Sequence, residues 1–418
     1  MNDVTSRLAE YVLTARLEDI PQDVRKEARR ALVNYMGCAL GGSRHEAIDI
    51  TLAALGPFAG PASTAILGRT ERSDPMLASL LNGISSHVHD FDDTTPRNYI
   101  HPTSPVASAL FAYADNNRVS GAELELAFIL GFEAVSRIGN ATYPAHYDAG
   151  WHSTGSIGVF GAAIAVGKLL GLSQQQMAWA IGLAATQSSG LREMFGSMAK
   201  SFHPGRAAQS GYIAALLAQR NFSAGIHALE GPRGFAAVQS AAYDLGRITE
   251  GLGTDFDLRV NAYKPFPCGI VVHPTIDACI QLRRKHDIDP QAIAAVRLRV
   301  APLVKGKAGL GEFTDDVVNE PLVQRVRARV ESTGDPSVTE DGVRVEVELA
   351  GGQRLRIDLD HSLGNLERPL SDAQLEEKFL DQSGVLPDAQ ARELISACWR
   401  IEEMEDVAGL VALAVPPA

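Results

Sequence analysis

Three basic side chains occur close together in a stretch that is otherwise small and apolar. Lys200, His203 and Arg206 lie within GSMAKSFHPGRAAQSG, residues 196–211. Proline favours the first turn of a helix, so we expect the helix to begin at Pro204. Cations repel one another and the positive helix end, so this arrangement suits a bound carboxylate better than a structural role. A solvated loop is the alternative, but it leaves the flanking apolar side chains unexplained.

Carboxylates and imidazoles crowd a second stretch, HVHDFDDTTPRNYIHP, residues 87–102. Repulsion between neighbouring carboxylates raises some of their pKa values, which suits proton transfer. The ionisable side chains here are Asp90, Asp92, Asp93, His87, His89 and His101. Two alternatives remain open. One is a solvated turn after a helix. The other is a metal site with His87, His89 and Asp92 as ligands, although the spacing matches no HExxH helix pair.

Two further stretches place single polar residues where apolar patterning does not require them. In HYDAGWHSTGSIG, residues 146–158, His152 precedes a glycine-rich helix whose first N–H groups favour an anion. In NAYKPFPCGIVVHPTIDA, residues 261–278, Lys264 lies beside a rigid Pro-Phe-Pro segment where the composition changes. Domain boundaries commonly form ligand clefts, so we predict that these side chains converge there. A capping turn and a proline-braced linker are the structural alternatives.

Local patterns predict the elements that carry these stretches. Up to about residue 250, apolar residues recur at helical spacing; Asp74–Pro75 opens one helix, and Ser120 with Glu123 forms a capping box in another. After residue 255, apolar and charged residues alternate as in half-exposed strands, with a hairpin at Gly351–Gly352. The predicted strands are 292–302, 343–350 and 354–360, and the predicted later helices are 273–286, 370–384 and 387–413.

The length of 418 residues favours two domains over one core. The fold class is therefore predicted to be mainly α with a smaller α+β domain. Residues 1–258 and 386–418 would form the helical catalytic domain, and residues 259–385 the α+β lid domain.

Composition excludes several classes of protein. A net charge of −12 argues against nucleic-acid binding, although a local group of cations still permits an anionic substrate. No charge-free apolar run reaches about 18 residues, which argues against a membrane span. The first residues lack a signal-peptide pattern, so we expect a cytoplasmic protein. The four cysteines form no CxxC pair, which argues against a structural zinc or a disulfide framework.

Taken in order, the motifs are similar to those of the MmgE/PrpD family. They are HVHDFDDT followed by HPTSPV, GWHSTGSIGVFGAA, GLREMFGSMAKSFHPGRAAQSGYIAALLA, EGPRGF and KPFPCGIVVHPTIDA. The resemblance covers most of the chain. It implies a helical domain with an α+β lid, a homodimer, and activity without a metal or organic cofactor. It also implies small di- or tricarboxylate substrates and a carbanion-like intermediate beside a carboxylate.

Carried over by motif, the resemblance implies a defined set of site residues. We predict that the catalytic residues are Asp90, His101, His152 and Lys200. The substrate-binding residues are predicted to be Thr94, His203, Arg206 and Lys264. The predicted reaction is a lyase reaction, the dehydration of a 2-hydroxy tricarboxylate such as 2-methylcitrate. His101 is one member of the acid–base pair, and the assignment of acid and base stays open.

Two departures from the family pattern bear on the reaction. A histidine stands five residues after the lysine in the decarboxylase-like pattern, whereas this chain has Gly269. The stretch after Val304 is several dozen residues shorter than is usual in the family. The alternatives are decarboxylation of cis-aconitate and epimerisation of an iminodisuccinate-type substrate. A different class, a catalytically inactive carboxylate-binding protein, is motivated by the shortened stretch.

Overall fold

The computed structural model describes residues 3–302, 304 and 315–417. They divide into two compact units. The larger unit takes its residues from 1–88, 92–261 and 372–418, and the smaller one from 89–91 and 262–371. The larger unit is helical and the smaller one combines helices with a mixed sheet, which confirms the predicted fold class.

Helices build the larger unit. Their bounds are Val4–Thr14, Gln22–Gly42, Glu46–Leu55, Pro75–His87, Thr103–Ala114, Gly121–Thr142, Ala145–Asp148, Ser153–Leu169, Gln174–Ala185, Ala199–Gln219, Phe235–Gln239, Gly246–Thr249, Asp372–Gln382, Asp388–Trp399 and Ala408–Leu413. A two-stranded antiparallel pair, Thr64–Ala65 with Arg72–Ser73, lies among them. The helix Ser153–Leu169 is buried along most of its length, which explains why apolar residues surround it on every side.

The capping signals mark helix starts as predicted. The Asp74 carboxylate accepts hydrogen bonds from the backbone N–H groups of Met76 and Leu77, at 2.8 and 3.2 Å, at the start of Pro75–His87. Ser120 and Glu123 form the predicted capping box. These caps satisfy N–H groups that have no partner within the helix.

The predicted helix 387–413 is wrong in its continuity, because the chain forms two α-helices with a short 3-10 turn, Ile401–Glu403, between them. Contacts with residues far away in the sequence stabilise this break in the helix. The Glu402 carboxylate forms ion pairs with Arg25 and Arg29, and the Val407 N–H donates to the Val119 carbonyl oxygen at 2.9 Å. These contacts replace hydrogen bonds that a continuous helix would make.

Asp372–Gln382 belongs to the helical unit, although the composition placed residues up to 385 in the lid domain. The side chains explain this grouping. The Lys378 ammonium donates to the Asn34 side-chain oxygen at 2.7 Å, and Phe379 packs closely over Gly37. Asn34 and Gly37 both lie on the helix Gln22–Gly42, so these contacts anchor the helix Asp372–Gln382 to the larger unit.

The predicted start at Pro204 is also wrong, because the helix begins at Ala199 and holds the proline inside it. The N–H groups of Ser201 and Phe202 both donate to the Met198 carbonyl oxygen, so a first turn forms upstream. Pro204 removes only one N–H donor from the helix. Because the first turn forms upstream of it, Lys200 and His203 lie on the helix.

A four-stranded mixed sheet forms the core of the smaller unit. Its order is Val330–Gly334, Ile293–Val300, Val343–Leu349 and Arg354–Leu359; the first pair is parallel and the others are antiparallel. Three strands and the helix His273–His286 were predicted. The exposed, polar strand Val330–Gly334 was missed, since its VESTG sequence lacks alternation. The unit also contains the helices Asp315–Asn319 and Pro321–Arg327. Most of the shortened stretch after Val304 lies outside the described residues.

Within the described ranges, no helix combines the length and apolar character required to cross a bilayer.

We predict that Gly83→Ala lowers the free energy of unfolding by about 1–3 kcal/mol, since overpacking a tight contact costs that much. A Cβ atom at Gly83 would overlap the Cα of Gly205 on the helix Ala199–Gln219. Gly56→Ala is the matched control, because its added methyl group meets no atom within 4 Å. Urea unfolding followed by circular dichroism measures both. Equal midpoints for the two variants would contradict this close helix contact.

Candidate active site

A buried carboxylate lies between two imidazole rings at the end of the helix Pro75–His87. The Asp92 carboxylate accepts a hydrogen bond from Nδ1 of His87 at 2.8 Å, and its other oxygen lies 3.4 Å from Nδ1 of His101. Asp92 is 2% exposed, His87 1% and His101 7%. A buried carboxylate requires such partners, because it has lost its water. The arrangement places both rings around one carboxylate.

The protonation of the His101 ring follows from its hydrogen bonds. Its Nδ1 atom lies 2.8 Å from the carbonyl oxygen of Asp93. A carbonyl oxygen only accepts, so Nδ1 carries the hydrogen and the lone pair of the neutral ring lies on Nε2. The backbone N–H of His101 donates to Oγ1 of Thr154 at 3.1 Å. The fold thus presents a ring whose Nε2 is a base, backed by Asp92.

The buried carboxyl group of Asp93 has two uncharged hydrogen-bond donors. Oδ2 of its carboxyl group accepts hydrogen bonds from Oγ1 of Thr103 at 2.5 Å and from Nδ2 of Asn261 at 2.7 Å. Burial raises the pKa of Asp93 to about 7, and the neighbouring Asp92 charge acts in the same direction. The expectation that crowding raises the pKa of a carboxylate here is met at Asp93, and burial is the larger cause.

A second imidazole pair lies beside the helix Ser153–Leu169. His152 immediately precedes this helix, and its Nδ1 lies 2.8 Å from Nδ1 of His203, so one nitrogen donates to the other. A Cβ at Gly155 would lie 2.8 Å from the Cβ of His203, which explains why a glycine stands there. Burial lowers the pKa of His152 well below its ordinary value and that of His203 to about 4. Both rings are therefore neutral at pH 7.

Lys200 places an ammonium group close to this pair. It lies in the first turn of the helix Ala199–Gln219 and is half-buried. Its Nζ lies 5.6 Å from the ring centre of Phe195, whose edge meets the His152 ring at 5.0 Å between centres. The positive charge of Lys200 contributes to the lowered pKa values of both His152 and His203. A cation at this position attracts an anionic substrate.

The larger unit brings four of the predicted residues together: His101, His152, His203 and Lys200. We call the group of His87, His101, His152 and His203, with Asp92 and Lys200 beside them, the imidazole cluster. Ring centres are 4.7 Å apart for His87 and His101, and 5.9 Å for His87 and His152. Imidazoles, a carboxylate and an ammonium group close together are suited to proton transfer on an anion.

The other four predicted residues are Arg206, Thr94, Lys264 and Asp90. Arg206 is exposed, and its guanidinium donates to the side chain of Gln209, so the structure does not bring it to the cluster. Thr94 is buried directly after Asp93. Lys264 and Asp90 meet in the smaller unit, where the ammonium group donates to the Asp90 carboxylate at 2.5 Å and to its carbonyl oxygen at 3.0 Å. Asp90 has a φ of 50°, a left-handed conformation.

Sequence reasoning did not assign functional roles to His87 and Asp92. It named both among the crowded ionisable side chains suited to proton transfer, and as ligands of the metal alternative together with His89, which belongs to the smaller unit. The spacing of five residues from His87 to Asp92 carries no motif. Their contact depends on the chain turning at the end of a helix.

These features define a class: a helical unit with buried acid–base residues, followed by an α+β unit. Two family models match the chain, the MmgE/PrpD N-terminal domain over residues 6–247 and the MmgE/PrpD C-terminal domain over residues 300–401. The chain belongs to the MmgE/PrpD family.

Curated relatives align over nearly their whole length. A cis-aconitate decarboxylase of Aspergillus terreus is 25% identical, with 98% of this chain and 95% of the relative covered. The cis-aconitate decarboxylase of Homo sapiens is also 25% identical, with 100% and 96% covered. The first alignment spans 468 positions against 418 residues, so at least 50 positions face gaps in this chain. This agrees with a shortened chain and leaves the place of the gaps open.

We predict that the difference in stability between Asp93→Asn and the wild type depends on pH. The folded chain keeps a proton on Asp93 up to about pH 7, whereas the unfolded chain releases it near 3.8. The stabilising contribution of Asp93 is therefore present at acidic pH and is lost as the pH rises toward 7. The free energy of unfolding of the variant, minus that of the wild type, should increase from pH 5 to pH 8. Urea unfolding at both pH values measures this, and a constant difference would contradict the raised pKa.

Proposed function

We propose that the chain is a cofactor-independent lyase that removes water from a 2-hydroxy tricarboxylate such as 2-methylcitrate. The observation that carries the proposal is the imidazole cluster, in which His101 presents a basic Nε2 backed by Asp92, close to His152 and within reach of a cation. Such a site removes a proton next to a carboxylate and stabilises the charge that develops.

His101 is the proposed base. Its Nε2 takes the proton from the carbon beside a substrate carboxylate, and the imidazolium that forms is stabilised by the Asp92 carboxylate 3.4 Å away. The electron pair of the broken C–H bond forms the new C=C bond as the hydroxyl group leaves. The low pKa values of His152 and His203 keep those rings neutral, whereas His101 has the Asp92 carboxylate beside it to stabilise its charged form.

The His152–His203 pair is the proposed route for the second proton. One Nδ1–H is shared between the rings at 2.8 Å, so a proton added to His203 reaches His152 without rearrangement of the backbone. A protonated ring of low pKa is a strong acid, which suits protonation of a departing hydroxide to give water. His101 regains its starting state by releasing the abstracted proton to solvent.

Lys200 and the first N–H groups of the helix Ser153–Leu169 are proposed to bind substrate carboxylates. Lys264, held by Asp90, and Thr94 are proposed to contribute to binding, as the family motifs imply. Asp90 then acts by positioning Lys264. Arg206 is proposed to act only as a surface cation.

Decarboxylation of cis-aconitate is a second candidate, favoured by the names of the curated relatives. It shares a carbanion-like intermediate beside a carboxylate, formed by loss of CO2 and quenched by a proton. We place it second because the chain has Gly269 where the decarboxylase-like pattern has a histidine. Epimerisation of an iminodisuccinate-type substrate would use the same proton abstraction with return of the proton to the other face.

Product analysis separates these reactions. We would incubate the purified chain in D2O with 2-methylcitrate, citrate, cis-aconitate and iminodisuccinate, and follow products by NMR. Dehydration of 2-methylcitrate supports the proposal, and formation of itaconate from cis-aconitate replaces it with the second candidate. Absence both of turnover and of deuterium exchange with every substrate would favour an inactive carboxylate-binding protein.

We predict that Lys200→Ala lowers turnover by about 100-fold or more, because a preorganised donor at developing charge contributes roughly 3–4 kcal/mol. Arg220→Ala is the matched control: it removes an exposed cation from the far end of the same helix and should retain wild-type turnover. Initial rates at saturating substrate measure both. If the two variants had equal rates, Lys200 would have no part in the mechanism.

A second copy of this chain is the proposed partner. Four large apolar side chains, each at least 40% exposed, lie near Lys200 in the sequence: Leu191, Phe195, Met198 and Phe202. Apolar surface of this kind favours contact with another protein. Light scattering after size-exclusion chromatography tests the expected homodimer; a monomeric mass at micromolar concentration would contradict it.

A further inference from the structure

Three buried histidines of the imidazole cluster have the spacing of metal ligands. One ring nitrogen from each of His87, His101 and His152 lies within 4.8 Å of one from each of the others. Three imidazole nitrogens around one zinc ion, each about 2.0–2.1 Å from it, require only a modest contraction of this spacing. All three residues are at most 7% exposed.

The hydrogen bonds orient the lone pairs consistently. Nδ1 of His87 donates to Asp92 and Nδ1 of His101 donates to the Asp93 carbonyl oxygen, so each neutral ring carries its lone pair on Nε2. Nε2 of His87 is buried and has no hydrogen-bond partner among the described residues. A buried polar atom of this kind is costly to leave without a partner, and a metal ion would satisfy it.

The outer contacts resemble those that support metal-binding histidines. Such a histidine usually donates its other ring nitrogen to a carboxylate or a carbonyl oxygen, which fixes the ring and makes it a better ligand. Here Asp92 accepts from His87 and lies 3.4 Å from Nδ1 of His101, and Nδ1 of His152 meets His203. The Asp92 charge offsets part of the repulsion between a bound cation and Lys200.

We propose that His87, His101 and His152 form a binding site for a divalent ion of the zinc class, and that occupancy of this site inhibits the chain. Neutral imidazole ligands suit Zn²⁺, Co²⁺ and Ni²⁺, and three of them leave a fourth position for water. Inhibition follows because the ion occupies Nε2 of His101, which is then unable to accept the substrate proton. Binding does not depend on the proposed function; only the inhibition rests on it.

Binding is tested on the full chain after EDTA treatment and removal of the chelator. Titration with Co²⁺ should give the visible absorption bands of a tetrahedral site at one equivalent, and Zn²⁺ should displace them. His152→Gln should weaken Zn²⁺ binding by about 100-fold or more, and Asp92→Asn, which alters only an outer contact, by about 10–100-fold. Calorimetry measures both affinities, and circular dichroism confirms that each variant is folded.

A matched control addresses a second group of candidate ligands at the surface, Asp3, His227 and Glu230. His227→Gln removes its imidazole and should leave the bands and the Zn²⁺ affinity unchanged. Bands lost in His227→Gln but kept in His152→Gln would overturn the proposal, as would octahedral bands or the absence of saturable binding. If His152→Gln does not fold, Asp92→Asn decides, because an unchanged Zn²⁺ affinity would then overturn the proposal.

Inhibition has its own readout. Zn²⁺ should reduce turnover with the midpoint measured by calorimetry, and EDTA should restore it. Saturable Zn²⁺ binding in a chain that turns over none of the four carboxylates would uphold the metal site and contradict the proposed function. Full activity with the site saturated would overturn the inhibitory part.

Discussion

The carboxylate of Asp92, buried between His87 and His101, is the interaction on which the rest of the site depends. Removing a carboxylate from water is unfavourable unless hydrogen-bond donors replace the water. The His87 ring supplies one such donor and is oriented by it, and the His101 ring lies 3.4 Å from the other carboxylate oxygen. Because the environment has a low dielectric constant, any change in the charge of one member is felt strongly by the others. Base strength, ring orientation and metal affinity at this site therefore vary together.

Helix ends and close helix contacts create the conditions for that interaction. His87 ends one helix, His152 immediately precedes another, and His101 lies just before Thr103–Ala114. Between the first and third of these helices the chain is not helical, and the carbonyl oxygen of Asp93 there accepts from His101. Glycines at 83, 155 and 205 let the neighbouring backbones and His203 approach closely. Small residues thus bring helix ends close together around the imidazole cluster.

Membership of the MmgE/PrpD family indicates the kind of intermediate more closely than it indicates the product. Elimination of water, loss of CO2 and epimerisation all place negative charge on a carbon next to a carboxylate, and one cluster of imidazoles and a cation serves each of them. The fate of that charge depends on which group delivers a proton and where. The chain differs from the decarboxylase-like pattern at Gly269, in the smaller unit, whereas the imidazole cluster lies wholly in the larger unit.

Local signals in the sequence predicted much of the fold. The capping box at Ser120, the Asp74 cap and the alternation of the strands depend on residues a few positions apart, so they can be read without knowing the tertiary structure. The clusters around His101, His152 and Lys200 were also visible, because polar residues interrupt apolar patterns there. Local signals failed where distant contacts decide the outcome, as at Glu402, whose ion pairs with Arg25 and Arg29 hold a break in a predicted helix.

The sequence by itself determined the family, the helical and α+β composition, and which segments concentrate ionisable side chains. Only the tertiary structure decided which side chains meet. It brings His152 to His203, 51 residues away, and Asp92 to the rings of His87 and His101. It leaves Arg206 exposed, bonded to its neighbour Gln209. The physical reason is that helix starts follow from neighbouring residues. The direction of a side chain at a helix end depends instead on the packing of helices that are far apart in the chain.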